Sequence, residues 1–130
     1  LVGTHNLTAS SGNTFKIALF TSSASLGAST TAYSTSNEIS NTSGSAYSAG
    51  GATLTSVTPV LDSSTAVCDF ADVSFTSATF TANGALIYNS SQSDKAVAVI
   101  AFGGDKTVTS GTFTIQFPTA DASNAIIRIA

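Results

Sequence analysis

Apolar and polar positions along this chain alternate with a period of two wherever a period is clear. Phe15, Ile17 and Leu19 alternate with Lys16 and Ala18, and Phe113, Ile115 and Phe117 alternate with Thr112, Thr114 and Gln116. Successive side chains of a strand point to opposite faces, so both patterns predict strands with one face in a core and one in water. Residues 54–61 alternate less cleanly. Pro59 cannot donate to a ladder, which predicts an edge strand or a strand broken near its middle. Two runs, 85–88 (ALIY) and 96–102 (AVAVIAF), are apolar on both faces. That pattern predicts central strands, or strands covered by another subunit. Ile126, Ile127 and Ile129 surround Arg128 in a last strand signal that ties this end into a sheet.

Turn signals separate these segments. The polar stretch 89–95 joins the two apolar runs, so 84–89 and 95–102 form the clearest hairpin. Gly103-Gly104-Asp105 and Ser110-Gly111 punctuate the following steps, and Val73/Phe75 and Ala78/Phe80 add short alternating pieces. About eight strand candidates result, with no stretch of helical period. The expected fold is all-β: a single-domain, antiparallel, two-layer β-sandwich. Strand count does not separate a jelly-roll from an immunoglobulin-like topology. Residues 1–13 have no strand pattern and read as an N-terminal arm that could reach a neighbouring subunit, leaving 14–130 as the sandwich domain. Within it, residues 21–51 are rich in Ser, Thr, Gly and Ala. Tyr33, Ile39 and Tyr47 are spaced through them as packing anchors, which predicts a long ordered loop and a region of partner contact.

Composition changes this picture in one respect. Only 8% of the 130 residues are charged, against about 25% in an ordinary domain. Ser and Thr number 22 and 20. The surface therefore takes its polarity from hydroxyls and backbone, with little of the charge repulsion that keeps proteins apart. The strands also lack most of the Lys and Glu that guard edges against pairing. Association with other subunits is one way to cover such edges. Four scattered bases and a net charge of −3 give no footprint for nucleic acid, and no apolar run is long enough for a membrane helix.

Candidate chemistry is sparse. The chain has one histidine, His5, close to the start, where packing or solvent exposure is the expected role rather than that of a triad base, and Lys16, Lys95 and Lys106 have no Ser-x-x-Lys spacing to activate them. Asp69 and Asp72 are the only neighbouring acids that could form a glycosidase pair, and the competing expectation for them is turn chemistry. Asp94 and Asp105 stand singly, without the acid spacing of a calcium loop. The lone Cys68 sits in an apolar stretch and reads as a small buried hydrophobe. No catalytic, metal or cofactor residue is assigned, and an enzyme is not expected.

The segments 14–20 (TFKIALF), 31–39 (TAYSTSNEI), 47–54 (YSAGGATL), 69–89 (DFADVSFTSATFTANGALIYN) and 113–130 (FTIQFPTADASNAIIRIA) together resemble a family of small structural proteins of tailed-bacteriophage particles. The chain departs from that pattern at Asn83, where relatives often carry a basic residue, and in a longer connection near 41–46. The resemblance implies a virion protein with a β fold. The expected role is capsid decoration, a cement that binds the major capsid protein and copies of itself on the capsid surface. The alternative is a receptor- or glycan-binding module of a head or tail fibre, which predicts a concave site lined by Tyr33, Tyr47 or Tyr88.

Overall fold

The computed structural model describes residues 4–40 and 46–130. The connection 41–45 and residues 1–3 lie outside the described residues. Among the described residues there is no helix. Seven strands are formed: β1 (Phe15–Phe20), β2 (Ala52–Thr53), β3 (Val60–Asp62), β4 (Thr65–Cys68), β5 (Val73–Asn89), β6 (Lys95–Ile115) and β7 (Ile127–Ile129). They make two antiparallel sheets, one in the order β2-β1-β5-β6 and one in the order β3-β4-β7. The expected all-β, antiparallel, two-sheet, single-domain architecture is thus what the chain adopts.

The alternation of β1 does what its pattern predicts. Phe15, Ile17 and Leu19 enter the main core with Ala85 and Ile87 of β5, while Ala18 and Phe20 turn to the opposite face with Leu86 and Tyr88. β1 and β5 pair in unbroken register from Phe15↔Asn89 to Phe20↔Gly84. The main core also draws in Leu54, Phe70, Phe75, Phe80 and Ile115. Its rings pack edge to face or tilted, with centroids 5.4 Å apart for Tyr47–Phe75, 5.6 Å for Phe15–Phe70 and 5.1 Å for Phe80–Phe113. Each such pair adds about 0.5–1.5 kcal/mol beyond the burial of its area. The second face of the large sheet is covered by part of the 21–40 stretch, with Ala24, Leu26 and Tyr33 packed on it. Ile39 and Tyr47 of the same region are buried in the main core.

Two expectations change, and one at Pro59 holds. The pieces around Val73, Ala78 and Gly84 are one strand, β5, and those from Lys95 to Ile115 are one strand, β6. The 17 residues of β5 would run about 56 Å if straight, far more than the breadth of a domain with a radius of gyration of about 14 Å. Register shifts at four places along β5–β6 let the pair bend with the core instead. Gly103 (φ 73°), Gly104 (φ 143°) and Ser110 (φ 46°) sit in these irregularities; they bend the strand rather than end it. The 96–102 run is not central. It belongs to β6, the edge of its sheet, and most of it is half-buried. Residues 54–61 are broken, as Pro59 warned: Ser56 makes an isolated bridge to Phe70 and β3 starts only at Val60.

Residues 4–13 form no strand and fold back on the same chain. Gly12 and Asn13 donate to Thr8 and Asn6 carbonyls. The fully buried Asn89 side chain lies 2.9 Å from both His5 Nδ1 and Asn13 Oδ1.

Candidate functional site

The chain contains three tyrosines, and the structure brings all of them to one place, around Glu38. An isolated bridge between Phe20 and Glu38 sets Glu38 beside the end of β1. Its carboxylate accepts from Tyr47 Oη at 2.6 Å and from the Gly50 amide at 2.8 Å through Oε1, and from Tyr33 Oη at 2.7 Å through Oε2. Tyr47 Oη in turn accepts from the Leu19 amide at 2.9 Å. Tyr88, stacked on Tyr33 with centroids 4.5 Å apart, donates to the Gly50 carbonyl at 2.6 Å. Gly50 has φ 87°, a left-handed backbone that favours glycine where the loop meets the sheet.

Burial comes first among the causes that push Tyr47, Tyr33 and Tyr88 above the ordinary phenol range. The Glu38 hydrogen bonds add to it for Tyr47 and Tyr33. For Tyr88, pushed up to about 12, the charges of Asp94 and Glu38 add to it. The convergence of Tyr33, Tyr47 and Tyr88 is thus real, but their hydroxyls are engaged within the chain. The cluster clamps the stretches 33–38 and 47–50 to β1 and β5. Of the stacked pair, Tyr88 is buried and Tyr33 partly so. No periodicity could have revealed Glu38, which is defined only by contacts across the fold.

The other sequence candidates are dispersed. Asp69 is buried and its Oδ1 accepts from the Phe70 amide at 2.8 Å. Burial raises its carboxyl above the ordinary range, and the neighbouring charge of Asp72 adds to this. Asp72 is exposed and accepts from the Phe117 amide at 2.8 Å. These are the backbone-directed roles expected of Asp at strand breaks. Asp105 accepts from Asn83 Nδ2 at 2.9 Å. His5 packs 6.2 Å from Phe15, and burial lowers its pKa. Cys68 is half-buried, not fully buried, and burial pushes its thiol up. Among the described residues, no group of three or more His, Cys, Asp or Glu is arranged to hold a metal ion, and no helix is long and apolar enough to cross a membrane.

Two surfaces remain unsatisfied. The first is the outer face of β3-β4-β7. Residues opposite one another in antiparallel strands share a face, and the register sets Leu61 against Ala66 and Ala66 against Ile129, with Cys68 beside Ile127. This row is wholly apolar, and Leu61 is 72% exposed and Ile129 49%. The opposite face carries Val67, fully buried. The second is the outer edge of β6. Beside its 96–101 stretch runs a groove of about 500 Å³, walled on the other side by Leu26, Gly27, Ala28 and Thr30. A second groove, of about 430 Å³, lies on the core side of the same edge, over Ile100, Phe102, Phe113 and Ile115.

Comparison of the chain with protein-family models, with curated proteins and with solved structures finds no match in any of the three.

Proposed function

We propose that this protein is a structural component of a tailed-phage particle that decorates the capsid, binding across capsid subunits and stabilising their seams. The observation that carries the reading is the apolar row Leu61–Ala66–Ile129 on the outer face of β3-β4-β7. With only 8% of its residues charged, the protein has little electrostatic means of attachment, and an exposed apolar row of this kind marks a binding surface. Burying it against a shell stabilises whichever state of the shell binds it, by mass action. The resemblance of five segments to small phage structural proteins supports the same reading.

The test is a comparison of phage heads with and without the protein by electron cryomicroscopy, under heat or low-salt challenge. Density at regular lattice points, with intact heads when the protein is present and burst heads when it is absent, is expected. Leu61→Asp together with Ile129→Asp should abolish attachment. An unchanged shell, with density missing only from a fibre or the tail, overturns the reading in favour of receptor or glycan binding.

A further inference from the structure

Residues 4–13 are held to the rest of the chain through one side chain, Asn89. It is fully buried at the end of β5, where its polar atoms need partners. Oδ1 accepts from the Ser91 amide at 3.1 Å. A backbone N–H can only donate, so this contact fixes which end of the side chain is oxygen. Asn13 Oδ1 is fixed in the same way, because it accepts from the Asn6 amide at 2.8 Å. Asn89 Nδ2 then donates to Asn13 Oδ1 and faces His5 Nδ1, each at 2.9 Å. An amide nitrogen does not accept, so Nδ1 does, and the neutral ring of His5 carries its proton on Nε2. Among the described residues, no other hydrogen bond joins residues 4–13 to the rest of the chain. Leu7 adds an apolar contact with the main core.

A protonated ring does not fit this arrangement. It puts an N–H on Nδ1, and two donors then face each other across 2.9 Å. Asn89 cannot turn its oxygen to meet the ring. That flip would set its nitrogen against the Ser91 amide and its oxygen against Asn13 Oδ1. The charges that act on His5 are both positive, those of Lys95 and of the amino terminus. Lys95 opens β6 opposite Asn89, and the other ring beside His5 is the apolar Phe15. The added charge thus gains no acid to pair with. We infer that His5 and Asn89 form a proton-operated latch: the neutral ring holds residues 4–13 against the end of the β1–β5 pair, and its protonation releases them. The direction follows from linkage. Burial, Lys95 and the amino terminus hold the docked ring below its ordinary value of 6.5. The stabilisation is complete above that value and is lost as pH falls through the docked pKa. His5 is the only histidine of the chain, so no second imidazole shares this titration. The latch does not depend on what the outer face of β3-β4-β7 binds, and its test uses the isolated chain.

The experiment follows the full chain in solution from about pH 7.5 to about pH 4.5. NMR of the imidazole nitrogens reads the tautomer and the titration of His5. Hydrogen exchange by mass spectrometry, corrected for the intrinsic effect of pH with the denatured chain, reads the docking of residues 4–13. At neutral pH the proton is expected on Nε2. Protection of residues 4–13 should fall about tenfold with the same midpoint as the ring, below 6.5, while β1 and β5 keep theirs. His5→Asn sets an oxygen that does not titrate near the place of Nδ1 and should keep residues 4–13 docked throughout. Should that variant fail to dock at neutral pH, coincidence of the two wild-type midpoints decides alone. Three results would each overturn the inference. One is a proton on Nδ1 at neutral pH. Another is a ring titration that leaves the protection of residues 4–13 unchanged. The third is a docked His5→Asn protein that still releases them at the wild-type midpoint.

Discussion

The two sides of the β1-β5-β6 layer meet the same problem and answer it differently. β1 has its outer side closed by irregular chain. β2 contributes only Thr53 and Ala52, opposite Lys16 and Ile17. The rest of the closure is single bonds: Leu54 N–H to Phe15 O at 2.8 Å, Ile39 N–H to Leu19 O at 3.0 Å, and the Leu19 amide to the Tyr47 hydroxyl. β6, the longer strand, has its outer side closed, among the described residues, by backbone bonds at its start alone. The contrast teaches that a loop with a few well-placed polar anchors seals an edge as well as a full strand does. It also shows that the open edge is a property of this one strand and not of the sheet as a whole.

The sharpest way to break the comparison is at Gly51. Its φ is 71°, and a Cβ there would lie 1.8 Å from the Ile17 carbonyl oxygen. Gly51→Ala forces the seam between β2 and β1 apart and is expected to cost more than about 4 kcal/mol, a loss of the kind produced by strain at a special backbone angle. A melt followed by circular dichroism that matches wild type would show that the seam does not seal the edge. Tyr47→Phe comes next. It keeps the ring among Phe75 and Phe80 but leaves the Leu19 amide and a Glu38 oxygen without their hydroxyl partner. Urea unfolding should show a loss of about 2–3 kcal/mol; a loss below about 0.5 kcal/mol would reduce the anchor to packing alone.

The smallest effect is a pH dependence. All three tyrosines and no tryptophan make phenolate absorbance a direct reporter of the anchor. Their folded pKa values are raised above the ordinary phenol value of 10.0. The folded state therefore holds protons that the unfolded chain has released, and stability falls as pH rises through 10 and on toward about 12, where Tyr88 titrates. Phenolate should appear late and together with unfolding. Ionisation near pH 10 in a protein that remains folded would contradict the clamp.

Much of this fold is legible in the sequence, for identifiable reasons. β1 is readable because Phe15, Ile17 and Leu19 face one core and Lys16 does not. The β5–β6 turn is readable because its polar residues interrupt two apolar runs. The glycines mislead: Gly103-Gly104 and Ser110-Gly111 look like chain reversals, since local sequence does not distinguish a turn from a bulge that a long strand absorbs. The position of residues 96–102 was also hidden, because two-sided apolarity signals coverage without saying by what. The tyrosine cluster was only half visible. Its aromatic members could be named, but Glu38, the residue that joins them, looks like any surface acid until Phe20 is laid beside it.

The way β5 is shared between its neighbours has a kinetic consequence. Its partner on one side, β6, follows it in the chain after a short turn, and hairpins of that sort form in about 1–10 μs. Its partner on the other side, β1, must come from the far end of a long closed loop, with Phe15 meeting Asn89, and closure grows more costly with loop length. The hairpin therefore has reason to form before β1 docks. Until that docking, Leu86, Ile87 and the open side of β5 have no cover. During synthesis, β1 emerges first and waits for its partner, so the interval in which this chain is most exposed to mispairing is set by the time taken to make the residues between them.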